Sequence, residues 1–315
     1  MPSFHMGGLA CAWIGDSKPV ASEVPDILLL AGSVRASKLV EAAGRSVLDL
    51  PLTPRLTLLE QWGAHLSTVR NTLPGARMRL MLDDRAPLPT GQLPDLLGTL
   101  TIERDPVPFR GTGGLLSDVV RASNPNGRIV FVDAAQVLGV DLLKLMQQMM
   151  ESSADVVLTA DQEGRAIGVS AVKCSTLLHV PEIGFVDFKE QVLPSLRARG
   201  GRVQVLRLPG TPAMPVRDAQ EYLAAARRFE RLEHGPDASH TDSRSAFSQF
   251  KVVEAGATVD STARIYDSIV LAGATVERDA RVVRSVICSG ARVRHGERVM
   301  DQVVTGLRRF SLSRA

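Results

Sequence analysis

Cysteine is scarce. Cys11, Cys174 and Cys288 are scattered along 315 residues, odd in number and without metal-ligand spacing. That pattern excludes a disulfide framework and a cysteine metal centre, and points to buried or free thiols in a reducing cytoplasm. An excess of one charge is lacking too. The formal balance is +3, and no Lys/Arg block suggests a groove that tracks a nucleic-acid backbone, so nucleic acid is not an expected partner. No apolar run approaches the roughly 20 residues needed to cross a bilayer, so no membrane partner is expected. The run Leu9 to Ile14 is short and has no basic lead-in. We read residues 1–24 as an extension of a cytoplasmic protein.

What remains is an ordinary globular composition, 44% hydrophobic and 23% charged, long enough for one large α/β domain and something smaller. Short apolar runs alternate with helix-patterned segments. Ile27–Ala31, Met78–Leu82, Arg128–Val132 and Val156–Thr159 read as strands. Thr57–Thr68, Val140–Ser153 and Glu221–Leu232 read as helices. The methionines of the second helix suit adaptable core packing. This alternation predicts a mostly parallel sheet with helices on both faces over 25–232, with ligands taken beyond the carboxyl ends of the strands. Residues 233–251 are polar and aperiodic, a linker. His234 and His240 within it have no further ligands for a metal.

From 252 to 307 the pattern changes. Val259, Val276 and Val293 step by 17, as do Ile265, Val282 and Val299, and Ile269, Val286 and Val303. Gly256, Gly273 and Gly290 keep the same step, each followed by alanine. Within a unit, apolar residues fall about six apart. Stacked turns explain this, each with short flat faces, one apolar residue per face pointing inward and glycine at a corner. Residues 308–315 remain as a tail.

A solenoid of hexapeptide units behind an α/β domain resembles the sugar-1-phosphate nucleotidyltransferases, such as the mannose-1-phosphate guanylyltransferases and glucose-1-phosphate nucleotidyltransferases. Four segments carry the resemblance. Leu28–Gly32 is similar to the start of the signature L-A-G-G-x-G-T-R. Arg110–Leu115 (RGTGGL) is similar to L-G-T-A-G-x-L, which lies against the nucleotide. Glu182–Glu190 resembles the sugar-side wall, and Ala219–Ala225 the P-E-D-Y-L-x-A helix start. The resemblance implies a Rossmann-like domain followed by a left-handed β-helix. It also implies nucleotide contacts at Gly32, Ser33, Arg35, Lys38, Gly111, Thr112, Gly113 and Gly114, and sugar-side contacts at Asp187 and Lys189.

Its chemistry displaces pyrophosphate from a nucleoside triphosphate by a sugar 1-phosphate, assisted by Mg²⁺ between carboxylates and phosphate oxygens. Here the chain departs from the pattern. Ser33 stands for the second glycine, and Val34-Arg35-Ala36 for G-T-R. The first metal carboxylate aligns with Ala135 or Gln136, the second with Pro215. The E-K-P segment has no counterpart at Ala160–Arg165. Asp133 and Asp218 lie nearby in sequence, Asp218 where it can also cap the following helix.

The expected function is therefore that of a catalytically degenerate relative. It would bind a nucleotide, sugar phosphate or sugar nucleotide, and associate with itself or with an active paralogue through the β-helix. The alternative is an active Mg²⁺ enzyme with displaced ligands: Asp133 with Asp187 or Asp218, and Arg35 with Lys38. A more remote one is acyl transfer on the β-helix, for which His295 is the sole histidine of the repeats.

Overall fold

The computed structural model describes residues 25–31, 37–96, 98–105, 107–122, 127–234 and 250–312. Its centre is a seven-stranded sheet of β1 (Asp26–Leu30), β2 (Met78–Leu82), β3 (Leu100–Arg104), β4 (Arg128–Asp133), β5 (Val156–Ala160), β6 (Ala166–Lys173) and β7 (Val203–Arg207). The strand order is β3-β2-β1-β4-β6-β5-β7, and every neighbouring pair is parallel except those made by β6. The chain is thus mixed α/β with a mostly parallel sheet. β1 reads DILLL because both of its faces are covered. Ile27 and Leu29 enter one apolar core and Leu28 the other.

The first face carries α1 (Lys38–Ala43), α2 (Leu58–Thr72), α4 (Leu142–Glu151) and α6 (Ala219–His234). The second carries α3 (Gly111–Ala122) and α5 (Leu193–Ala198). Helix α2 begins with a capping box: the Glu60 N–H donates to Thr57 Oγ1 at 3.3 Å, and the Thr57 N–H donates to Glu60 Oε2 at 2.7 Å. Two of its side chains fix the strand-to-loop exit of β4. Trp62 Nε1 donates to the Ala134 carbonyl and Gln61 Nε2 to the Leu138 carbonyl, both at 2.9 Å. Tyr222, fully buried on α6, donates its hydroxyl to the Pro51 carbonyl at 2.7 Å.

Beyond residue 250 the chain builds three parallel ladders, with every cross-strand partner 17 residues on: Val252 with Ile269, Val259 with Val276, Ile265 with Val282. Gly256, Gly273 and Gly290 hold φ of +92°, +79° and +71°, the left-handed corner that glycine takes without a Cβ penalty. A second corner uses Asp267, Arg284 and Asp301, also at positive φ, and Arg284 grips Asp301 at 2.7 Å through two N–H groups.

One expectation is corrected. The column Ile269–Val286–Val303 does not point into the stack. The next residues, Val270, Ile287 and Val304, fill the interior. Ile269, Val286 and Val303 face the other way and join the core of the α/β domain, together with Leu271 and Cys288. Consecutive apolar residues here mean that both faces of this ladder are buried. The antiparallel strand Arg309–Ser311, from the segment expected as a tail, pairs with Gln302–Val304 and covers that ladder's last edge.

Among the described residues no helix is long and apolar enough to cross a membrane.

Candidate functional site

A pocket of about 1000 Å³ opens beyond the carboxyl ends of β1 and β4, where the strand order reverses from β2 on one side of β1 to β4 on the other. That is where open α/β sheets take ligands. Its floor is apolar: Phe131 of β4 meets Phe188 edge-on at a ring-centroid distance of 4.9 Å. Small residues of the antiparallel β6 (Ala166, Gly168 and Ser170) keep one wall low. The charged lining comes from Glu41, Asp83, Arg85, Asp133, Lys189 and Arg217. A smaller hollow of about 280 Å³ adjoins it and shares Leu30, Asp83 and Thr112.

Gly32, Ser33 and Arg35 lie outside the described residues. The lining runs up to Ala31 and resumes at Ser37. Lys38 is the exposed first residue of α1, whose cap is Ser37, accepting from the Val40 N–H at 3.2 Å.

Thr112 lines both cavities, and Gly111 the smaller one. The amides of Gly113 and Gly114, which would offer an anion the start of α3, both point at the Val186 carbonyl, at 2.9 and 3.3 Å. Gly111 sits at φ +69°, and a Cβ there would stand 2.6 Å from the same carbonyl oxygen. This glycine run seats the 181–187 segment against α3. Arg110 completes the seat. Buried to 2% exposure, it forks onto Asp118 at 2.9 and 3.0 Å, and donates to the carbonyls of Gly184 and Pro181.

Asp187 and Lys189 part company. Asp187 caps the turn Phe188–Val192, its Oδ1 accepting from the N–H groups of Lys189 and Glu190 at 2.7 and 2.8 Å, and it lines the smaller hollow. Lys189 is exposed and faces the main pocket. Asp218 caps α6, accepting from the Glu221 N–H at 2.8 Å. His295, on an exposed corner of the repeats, places Nδ1 3.0 Å from the Arg278 carbonyl.

Asp133 ends β4 inside the pocket, with Oδ1 accepting from the Ala135 N–H at 3.0 Å. Its carboxyl is open to the cavity yet sunk among protein atoms. Desolvation lifts its pKa above the ordinary carboxylate range, against the opposing pull of the Ala135 N–H, Arg217 and Lys189. Arg217 is held by Glu221: Nε donates to Oε2 at 3.0 Å and Nη2 to Oε1 at 2.6 Å. Sequence reasoning did not single out Arg217, although the i, i+4 spacing to Glu221 was there to be read.

The segments that the resemblance would align with two metal carboxylates come together. The short strands Gln136–Leu138 and Ala213–Pro215 form an antiparallel ladder in which Pro215 is the direct partner of Gln136. The Val216 N–H donates to the Ala135 carbonyl at 2.8 Å. Gln136 is 4% exposed and its Nε2 has no hydrogen-bond partner among the described residues. A Cβ at Gly168 would stand 3.0 Å from both that nitrogen and the Asp133 Cβ. Among the described residues no three His, Cys, Asp or Glu side chains gather to hold a metal ion.

The architecture is thus an α/β chain with a ligand-sized pocket at a sheet reversal. No family model and no curated protein sequence matches it. Among solved structures it is similar to HddC from Yersinia pseudotuberculosis, at 13% identity over 65% of this chain and 100% of that one, with a TM-score of 0.47. The structure of HddC complexed with GMP-PN is similar at the same identity and coverage, with a TM-score of 0.46.

Proposed function

We propose that this chain is a sugar-nucleotidyltransferase-like protein without the metal-dependent transfer reaction. It binds a nucleotide, sugar phosphate or sugar nucleotide in a regulatory or partner role. The carrying observation is the pairing of Pro215 with Gln136. Two segments far apart in sequence meet where the resemblance implies a pair of carboxylates, and neither position carries one. The displaced-ligand alternative needs Asp187 or Asp218 beside Asp133, but each of those spends a carboxylate oxygen on a helical turn.

The C-terminal ladders fit a short left-handed β-helix of hexapeptide type. One of its faces is used up against the α/β domain. The other two pack their inward apolar residues on the stack itself and suit association with a second copy or an active paralogue in the cytoplasm.

Isothermal titration of the full chain against nucleoside triphosphates, sugar 1-phosphates and sugar nucleotides tests the binding role. Silence across that panel, with no partner recovered, sinks it. Pyrophosphate release with Mg²⁺ that Asp133→Ala abolishes would overturn the degenerate reading in favour of an active enzyme.

A further inference from the structure

Resting on that reading, we infer that the pocket recognises the phosphate-bearing end of its ligand through Lys189 and Arg217, without a divalent cation. The resemblance implies Mg²⁺, and the donor set does not fit it. Mg²⁺ wants several hard oxygens in near-octahedral array. Pro215 offers no side-chain donor, and Gln136 offers a neutral carboxamide in place of a charged group. Asp133 is a single carboxylate, with one oxygen already spent on the Ala135 N–H. It also lies in the field of two cations, Arg217 and Lys189, against one further anion, Glu221, so a dication placed beside it would meet the repulsion of both cations.

The same surroundings suit an anion. A phosphate accepts hydrogen bonds, and this side of the pocket is rich in unspent donors. Of the five N–H groups of a guanidinium, Arg217 uses one on Nε and one on Nη2 to hold Glu221. The rest have no partner among the described residues. Glu221 therefore fixes the plane of the fork while leaving an edge to offer, the geometry that arginine brings to phosphate. The Lys189 ammonium makes no hydrogen bond among the described residues, since only its backbone N–H is engaged, with Asp187.

In this arrangement Asp133 opposes the ligand, whereas in a metal site it would help to hold it. That difference gives a test by sign. The full chain is titrated calorimetrically with pyrophosphate, glucose 1-phosphate and GTP, once in EDTA and once in millimolar Mg²⁺. The expected result is binding in EDTA that Mg²⁺ tightens by no more than about threefold. Asp133→Asn should tighten it severalfold, because a repelling charge is gone. Lys189→Gln, an exposed position unconnected to packing, should weaken it severalfold, and Arg217→Gln by about tenfold.

Tightening by Mg²⁺ beyond threefold, or weakening by Asp133→Asn, overturns the inference and leaves the binding role standing. Absence of binding for all three probes in both buffers removes the binding role itself. Thermal melting of each variant separates lost binding from lost folding, and Lys189→Gln carries the result should Arg217→Gln fail to fold.

Discussion

Arg45 and Glu254 stand 209 positions apart in the chain and close a two-pronged ion pair, Nη1 to Oε1 at 2.7 Å and Nη2 to Oε2 at 2.6 Å. Arg45 follows α1, and its neighbours Ser46 and Val47 line the pocket. Glu254 belongs to the first turn of the C-terminal ladders and also accepts the Ala272 N–H at 2.7 Å. The pair therefore ties a pocket wall to the repeats. Both side chains are largely buried, so removing one strands the other in a poorly solvated place. Glu254→Gln should cost about 2 kcal/mol, the usual range for a lost charged hydrogen bond. In a chain of this size that lowers the melting midpoint by about 4 °C. An unchanged midpoint would show that the two units are held by their apolar face alone.

Gly111 separates two roles for the glycine run. Alanine there must take φ near +69° and bring a Cβ to 2.6 Å from the Val186 carbonyl. Gly98 has a similar φ, +75°, with nothing within 4 Å of the added carbon. Gly98→Ala should cost only the left-handed strain, about 1–2 kcal/mol. Gly111→Ala should cost about 1–3 kcal/mol more, from the clash. Urea unfolding of the two variants measures the difference. Equal losses would mean that the 181–187 segment is not seated on α3 as described.

Asp133 makes stability depend on pH in a particular direction. Its carboxyl is raised in the folded state by desolvation, so the unfolded chain releases that proton more readily. Below about pH 3 both states hold the proton and the residue costs nothing. As pH rises above the ordinary carboxylate value, the unfolded state is increasingly favoured, until the folded group ionises as well. Asp133→Asn should therefore be more stable than the wild type at pH 7 and indistinguishable from it below about pH 3. Its Oδ1 can still accept the Ala135 N–H. Urea midpoints across that range would register the crossover, and a variant less stable at pH 7 would contradict it.

What the sequence showed and what it hid divide along physical lines. β1, β2, β4 and β5 were legible as apolar runs because helices cover both of their faces. β3 and β7 read LTIER and VQVLR and were missed, since as edge strands they leave three of their five residues exposed and bury none fully. β6 was missed for a different reason. Its Ala166, Gly168 and Ser170 answer to the pocket they line, and carry no apolar signal. In the site, counting along two motifs marked Pro215 and either Ala135 or Gln136, and the fold brings those segments into contact. The role of Arg217 was not marked in that way, because it depends on Asp133, brought close only by the fold. Nor could sequence show that the Gly113 and Gly114 amides are taken by Val186, since a glycine run looks the same whether it cradles a phosphate or a carbonyl.

The ladder face that docks on the α/β domain gives the sharpest test of the C-terminal unit. Ile269 and Ile287 are both fully buried, yet on opposite sides of the same sheet: Ile287 fills the stack, and Ile269 packs into the α/β core. Truncation of either should leave a cavity costing about 2–5 kcal/mol. Arg281, outward on a neighbouring ladder and exposed, provides the comparison, and Arg281→Ala should stay within about 0.5 kcal/mol of the wild type. Guanidinium unfolding of Ile269→Ala, Ile287→Ala and Arg281→Ala ranks the three. If the repeats stood apart from the α/β domain, Ile269 would be a solvent-facing residue and its truncation would fall with Arg281→Ala. A loss matching that of Ile287→Ala places the ladder between two cores, which requires the consecutive apolar residues at 269–270 and 286–287 to be held on both faces at once.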